Sequence, residues 1–146
     1  FVNFLNAKND PEHSKFPQSY FWIINKDNKF IGELGLHHKL TNKALAEIYG
    51  HIYYDIVPNQ RGKGYATKAL ALALEEAKKL GIIEVLITCD EDNIASQKAI
   101  LKNGGKFERT TTEPNNPVPV CRYFIQLDQP APNVNPQMAS PLQPRY

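Results

Sequence analysis

At 146 residues, with 42% hydrophobic and 22% charged side chains, the chain is one domain long and can bury a core without disulfides or metal. Its formal charge of +2 is too mild for a nucleic-acid binder, which concentrates a basic face, and its two cysteines, Cys89 and Cys121, show neither metal spacing nor a disulfide framework. No apolar run approaches the ~20 residues that cross a bilayer, and the N-terminus lacks the basic flank and small-residue cleavage site of a signal peptide. A soluble cytoplasmic protein with reduced thiols, and with neither membrane nor nucleic acid as partner, is therefore expected. The chain starts at Phe1 with no initiator methionine, which leaves room for native residues upstream.

The first element assigned is a β-hairpin: "SYFWIIN" is dense in aromatic and β-branched residues, and "KDN" supplies turn chemistry before "KFIGELGLHHKL". His37 and His38 are adjacent and point to opposite faces of that strand, poor geometry for one metal ion. The run "AEIYGHIYYDIVP" alternates Glu47, Tyr49, His51, Tyr53 and Asp55 with Ile48, Gly50, Ile52, Tyr54 and Ile56, which predicts a third strand ending at Pro58. From Gly64 to Leu80 apolar residues recur at helical spacing (Ala66, Leu70, Ala73, Leu74, Ala77), and Gly81 stops the helix. "IEVLITCD" is a strand buried on both faces, parallel to "IYYDIV". Asp92 or Asn93 caps a second helix, "IASQKAILKN", ended by Gly104 and Gly105. After Phe107 the pattern loosens through "TTTEPNNPVP", and "VCRYFIQLD" closes as a last strand. The domain is assigned to 1–128, and the proline-rich remainder 129–146 is read as an extended or disordered tail.

Chemistry concentrates in "RGKGYAT". A helix N-terminus leaves backbone N–H groups without intrahelical partners and carries partial positive charge, so it attracts anions. Gly62 and Gly64 allow those N–H groups to converge, Ala66 keeps the first turn uncrowded, and Arg61 and Lys63 add formal charge. The expected ligand is a phosphate or pyrophosphate. There is no G-x-x-x-x-G-K-[ST], and no G-x-G-x-x-G followed by an acidic residue ~20 positions later, which excludes the common NTPase and dinucleotide patterns.

On these residues the chain resembles the GNAT superfamily of acyl-coenzyme A dependent N-acetyltransferases. The superfamily's loop Q/R-x-x-G-x-G/A is met by Arg61, Gly64 and Ala66, and "NIASQKAILKNGG" is similar to its "N-x-x-S/A" helix ending in glycine. The longer run from "GHIYYDIVP" through "RYFIQL" is similar to a bacterial subgroup of predicted acetyltransferases, and the likeness covers roughly 19–127. It implies an α/β fold in three layers: a mixed, mostly antiparallel sheet with a central, splayed parallel strand pair, flanked by helices. It implies acetyl-CoA as cosubstrate, with no metal, and an N-acetyltransferase that moves acetyl directly to a small-molecule or peptide amine, as monomer or homodimer. The pyrophosphate would sit on Arg61, Gly62, Lys63, Gly64, Tyr65 and Ala66, with Thr67 adding a hydroxyl. Pantetheine would follow Asp55, Ile56 and Val57, and Asn93 and Ser96 would meet the pantetheine or adenosine arm.

The acceptor ammonium must lose a proton before it attacks, because its pKa lies near ~10, and Glu47, then His51, are the candidate bases. Tyr53 shares their face. An N–H near Ile56 or Val57 would stabilise the oxyanion. Many family members protonate the departing thiolate with a helix tyrosine; here Ile100 stands at the matching position, which leaves Tyr53, Tyr54, Tyr123 or solvent. That departure also keeps in view a CoA-binding regulatory domain that has lost catalysis. The segments "HHKLTNKALAE" and "TTTEPNNPVP" are expected on the acceptor side.

Overall fold

The alternating segments of the sequence assemble, in a computed structural model that describes residues 2–9 and 17–128, into a seven-stranded sheet of order β1-β2-β3-β4-β5-β7-β6. The strands are β1 (Val2–Asn9), β2 (Gln18–Asn25), β3 (Phe30–His37), β4 (Ile52–Ile56), β5 (Glu84–Asp90), β6 (Lys106–Thr111) and β7 (Val120–Gln126), with helices α1 (Tyr65–Lys79) and α2 (Ile94–Lys102). Every neighbouring pair is antiparallel except β4 and β5. The mixed sheet with one parallel pair is the architecture expected above. The tail assigned to 129–146 lies outside the described residues.

The β2–β3 hairpin turns where Asn25 Oδ1 accepts the N–H groups of Asp27 and Lys29, and Asn28 takes a left-handed φ of 57°. Asn tolerates that conformation better than most residues. Helix α1 buries Ala69, Leu70, Ala73, Leu74 and Ala77 against Phe21, Ile23, Leu34, Ile52 and Ile87 of the sheet. Three alanines on that stripe let the helix axis approach the sheet closely, so burial is gained without large side chains. Cys89 and Cys121 are buried free thiols that face each other in the β5–β7 register.

One expected strand is shorter than its sequence pattern. Residues Leu45–Tyr49 form a π-helical turn, so Glu47 and Tyr49 lie on a helical turn rather than a strand. Asn42 starts the turn by accepting the Leu45 N–H through Oδ1. Its loose carbonyls find distant partners: Arg122 Nη1 donates to the Ala46 and Glu47 carbonyls at 2.7 and 2.8 Å, and the Thr88 hydroxyl donates to Ile48 O at 2.6 Å. Arg122 is itself buried and paired with Glu108 at 2.6 Å. Gly50 ends the turn at φ 69°, ψ −164°, a region that essentially only glycine occupies.

β1 and β6 were not among the expected strands. β6 is exposed along nearly its whole length, so it carries no alternation that a hydrophobicity pattern could reveal.

Candidate functional site

β4 and β5 share a single parallel register pair, Ile52 with Ile87, and beyond it Tyr53 to Ile56 keep their β3 partners alone. The two strands therefore part like a V. The phase of the β3–β4 ladder decides what the open edge offers. Val57 N–H donates to Ile31 O, and His37 N–H to His51 O. Alternate residues bond the same neighbour in an antiparallel ladder, so Tyr53 and Asp55 bond β3 while Tyr54 and Ile56 turn their backbone groups into the V. Of the two N–H groups expected to meet an oxyanion, that of Val57 is thus taken and that of Ile56 is on the open edge.

The chain then turns through Pro58–Gln60 into the glycine loop. Gly62 and Gly64 have φ of 77° and 81°, and Gly64 is the N-cap of α1 with no side-chain cap. Among the described residues, none of the backbone N–H groups from Gly62 to Thr67 has an acceptor. Of these residues, all but Lys63 border a cavity of about 320 Å³. It is lined by Asp55, Ile56, Arg61, Gly62, Gly64, Tyr65, Ala66, Thr67, Asn93 and Ser96 from the expected set, joined by Tyr54, Gln60, Ala95 and Ala99. Val57 and Lys63 do not line it; the Lys63 ammonium instead meets Gln60 Oε1 at 3.2 Å. Ala95 and Ala99 were missed, although small residues at i and i+4 on α2 are a legible sign of a face kept clear. Arg61 folds back, donating from Nε to Ile56 O at 2.7 Å and from Nη2 to Asp55 at 2.9 Å.

A second cavity of about 360 Å³ lies within the V, with Tyr53 and Tyr54 from β4 and Thr88, Cys89 and Asp90 from β5. Ile48 and Tyr49 from the π turn, and Glu113 and Asn116 from the loop before β7, complete its wall. The "TTTEPNNPVP" segment thus reaches this cavity, whereas no residue of 37–47 lines it. Tyr49 donates its hydroxyl to Glu113 Oε1 at 3.1 Å. Tyr54, Asn93 and Ser96 line both cavities, and the Tyr54 and Ser96 hydroxyls meet at 2.7 Å across the V. Asn93 caps α2 by accepting the Ser96 N–H at 3.1 Å, as its position in the sequence suggests.

Of the three expected catalytic side chains, Tyr53 alone lines one of the two cavities. The Glu47 carboxylate pairs with Arg109 at 2.6 Å, which holds it below the usual carboxylate range, and it lines neither cavity. His51 also lines neither cavity. Its backbone N–H donates to Leu86 O at 2.8 Å and its ring Nδ1 accepts the Leu86 N–H at 3.0 Å, so backbone and imidazole together latch His51 to β5 at the apex of the V. Burial, then the nearby His37, push its pKa down to about 4. Tyr53 lines the second cavity; its ring fills the space that a β-carbon on Gly35 would need, and burial, then Tyr20, push its pKa up to about 12. Tyr123 is buried, and neither it nor Ile100 lines either of these two cavities. Ile100 is fully enclosed under Gly105.

The latch makes stability depend on pH. Unfolded His51 titrates near ~6.5 and the folded ring near 4. Its contribution is therefore complete above the unfolded value and is lost as pH falls through that window. Allowing for the ring's partial exposure, the loss is about 1–2 kcal/mol. Thermal unfolding between pH 7.5 and 4 should show a steeper fall in Tm for the wild type than for H51Q; parallel curves would contradict the latch.

Among the described residues, no group of three or more His, Cys, Asp or Glu side chains is arranged to hold a metal ion, and no helix is long and apolar enough to cross a membrane. His38 Nε2 instead meets Ser19 Oγ at 2.8 Å.

Residues 3–106 match the family model of the acetyltransferase (GNAT) domain. No curated protein matches the chain. Among solved structures, yncA of Salmonella typhimurium, solved with its cofactor acetyl-CoA, aligns with TM-score 0.62 at 16% identity over 78% of this chain and 67% of its own. Spermidine N-acetyltransferase of Vibrio cholerae in complex with CoA and spermine gives 0.60 at 18% over 75% and 65%. A GNAT-family acetyltransferase of Bacillus anthracis gives 0.59 at 22% over 73% and 65%. The chain therefore spans about two thirds of these proteins' length, and at such identities the likeness is one of fold.

Proposed function

Because the chain belongs to the GNAT acetyltransferase family, we propose that it binds acetyl-CoA in the first cavity and passes the acetyl group directly to a primary amine seated in the second. The observation that carries this reading is the meeting of the two cavities inside the V between β4 and β5. A cosubstrate must reach its acceptor without crossing bulk water, and a shared wall provides that route.

The pyrophosphate rests on the free N–H groups of Gly62 to Thr67 at the N-terminus of α1. The pantetheine amides add to the open edge of β4 as an extra strand would, bonding Tyr54 and Ile56. The thioester carbonyl then lies within reach of an edge N–H, which stabilises the oxyanion as the amine attacks. The carboxylates lining the second cavity, Asp90 and Glu113, draw in the ammonium form. Glu113, steadied by Tyr49, replaces Glu47 as the group that relays its proton to water. The acceptor is a small primary amine, and the likeness to a spermidine acetyltransferase makes spermidine a natural first probe.

Thiol release from acetyl-CoA, measured across a panel of amines, tests the proposal. Amine-dependent release with an N-acetylated product is expected for at least one member. Tight CoA binding with no amine-dependent release across the panel would overturn it.

A further inference from the structure

Collapse of the tetrahedral intermediate breaks the C–S bond and leaves the electron pair on sulfur. An alkyl thiolate can leave unaided, and a proton donor beside the sulfur speeds its departure by stabilising the charge that gathers there. That donor must stand where the cofactor arm passes from the first cavity to the second, and the shared wall consists of Tyr54, Asn93 and Ser96. Asn93 presents its side-chain oxygen to the α2 backbone as a cap, and its amide N–H is far too weak an acid to give up a proton to a thiolate. The two hydroxyls remain. Resting on the cofactor reading above, we propose that Tyr54 Oη hydrogen-bonds the CoA sulfur and delivers its proton as the thiolate departs.

Acidity selects between the two hydroxyls. A phenol titrates near ~10, in the range of the thiol it must protonate, whereas a serine hydroxyl is far less acidic. Burial raises the Tyr54 pKa, so the phenol is fully protonated at neutral pH. Ser96 serves as the partner that holds the ring across the V at 2.7 Å and yields the hydroxyl when sulfur arrives. Cys89 also lines the second cavity, but burial, then Cys121, push its thiol up to about 11, and a thiol is a weak donor. The proton count closes. An alkylammonium sheds two protons on becoming an amide; one goes to water, and the other balances the one Tyr54 gives to sulfur. The tyrosinate then recovers a proton from water at the cleft mouth, and nothing is oxidised or reduced.

The test needs no acceptor. A hydrogen bond donated to a thiolate favours the charged form and lowers its pKa. In the complex with CoA, thiolate absorbance read against the desulfo-CoA complex should titrate about one pH unit below free CoA. In Y54F it should return to the free value while CoA affinity stays within about threefold. With an amine that supports turnover, Y54F should lower kcat about a hundredfold and leave the acceptor KM nearly unchanged. Identical thiol titrations in wild type and Y54F would overturn the assignment to Tyr54 and leave the cofactor site standing. Failure of the wild type to bind CoA would remove both.

Discussion

Replacing Arg61 with glutamate should weaken CoA binding by on the order of a thousandfold. The guanidinium spans Ile56 O and Asp55 at the mouth of the first cavity. Its ion pair with Asp55 is exposed on both sides, so it contributes at most about 1 kcal/mol and yields easily to a more highly charged anion. Glutamate removes an attraction and installs a repulsion. At ~8 Å and an effective dielectric of ~20, each is worth about 2 kcal/mol per unit of phosphate charge. The sum, about 4 kcal/mol, is three decades of Kd. R61Q separates charge from bracing, since it keeps a donor for the Ile56 carbonyl and should lose only about the attractive half. Titration calorimetry with CoA at fixed ionic strength decides it: unchanged affinity in R61E would sink the phosphate-loop assignment.

Gly50→Ala should destabilise the fold by about 3 kcal/mol, lowering Tm by roughly 10 °C. At φ 69°, ψ −164° a side chain is strained by about 1–3 kcal/mol. The added β-carbon would also lie 2.5 Å from the Leu86 carbonyl oxygen, a backbone atom that cannot swing aside. Gly50 is where the π turn gives way to β4 and where the chain bridges to Ile87. The damage should therefore fall on the apex of the V. A Tm within 2 °C of wild type by differential scanning calorimetry would show that the backbone there relaxes, and would refute the strain argument.

Gly50 also marks where sequence reading stopped working. The hairpin, α1, β5 and α2 announce themselves through local periods and caps such as Asn93 and Gly81. The glycine loop is equally legible, because its N–H groups are contiguous in the chain. "AEIYGHIYYD" alternates as a strand should, yet its first half closes into a turn because Arg122 and Thr88 supply partners for its carbonyls from 39 to 76 residues away. No local pattern carries that information. The position of the expected base escapes the sequence for the same reason: Glu47 shares an alternating face with His51 there, but the turn delivers it to Arg109. The second cavity draws on β4, β5, the π turn and the loop before β7, so only topology brings Glu113 beside Tyr49.

The split between a contiguous loop and a wall gathered from distant segments has an evolutionary side. On the proposed reading, the residues that would grip the cofactor lie mostly in one short stretch, 54–67, which every acceptor would share. Glu113 and Asn116 stand on the connection between β6 and β7, which contributes nothing to the first cavity. On that reading, descendants of this chain could explore new amines by editing that connection while the acetyl donor stays fixed, so innovation and inheritance would occupy separate addresses in the gene.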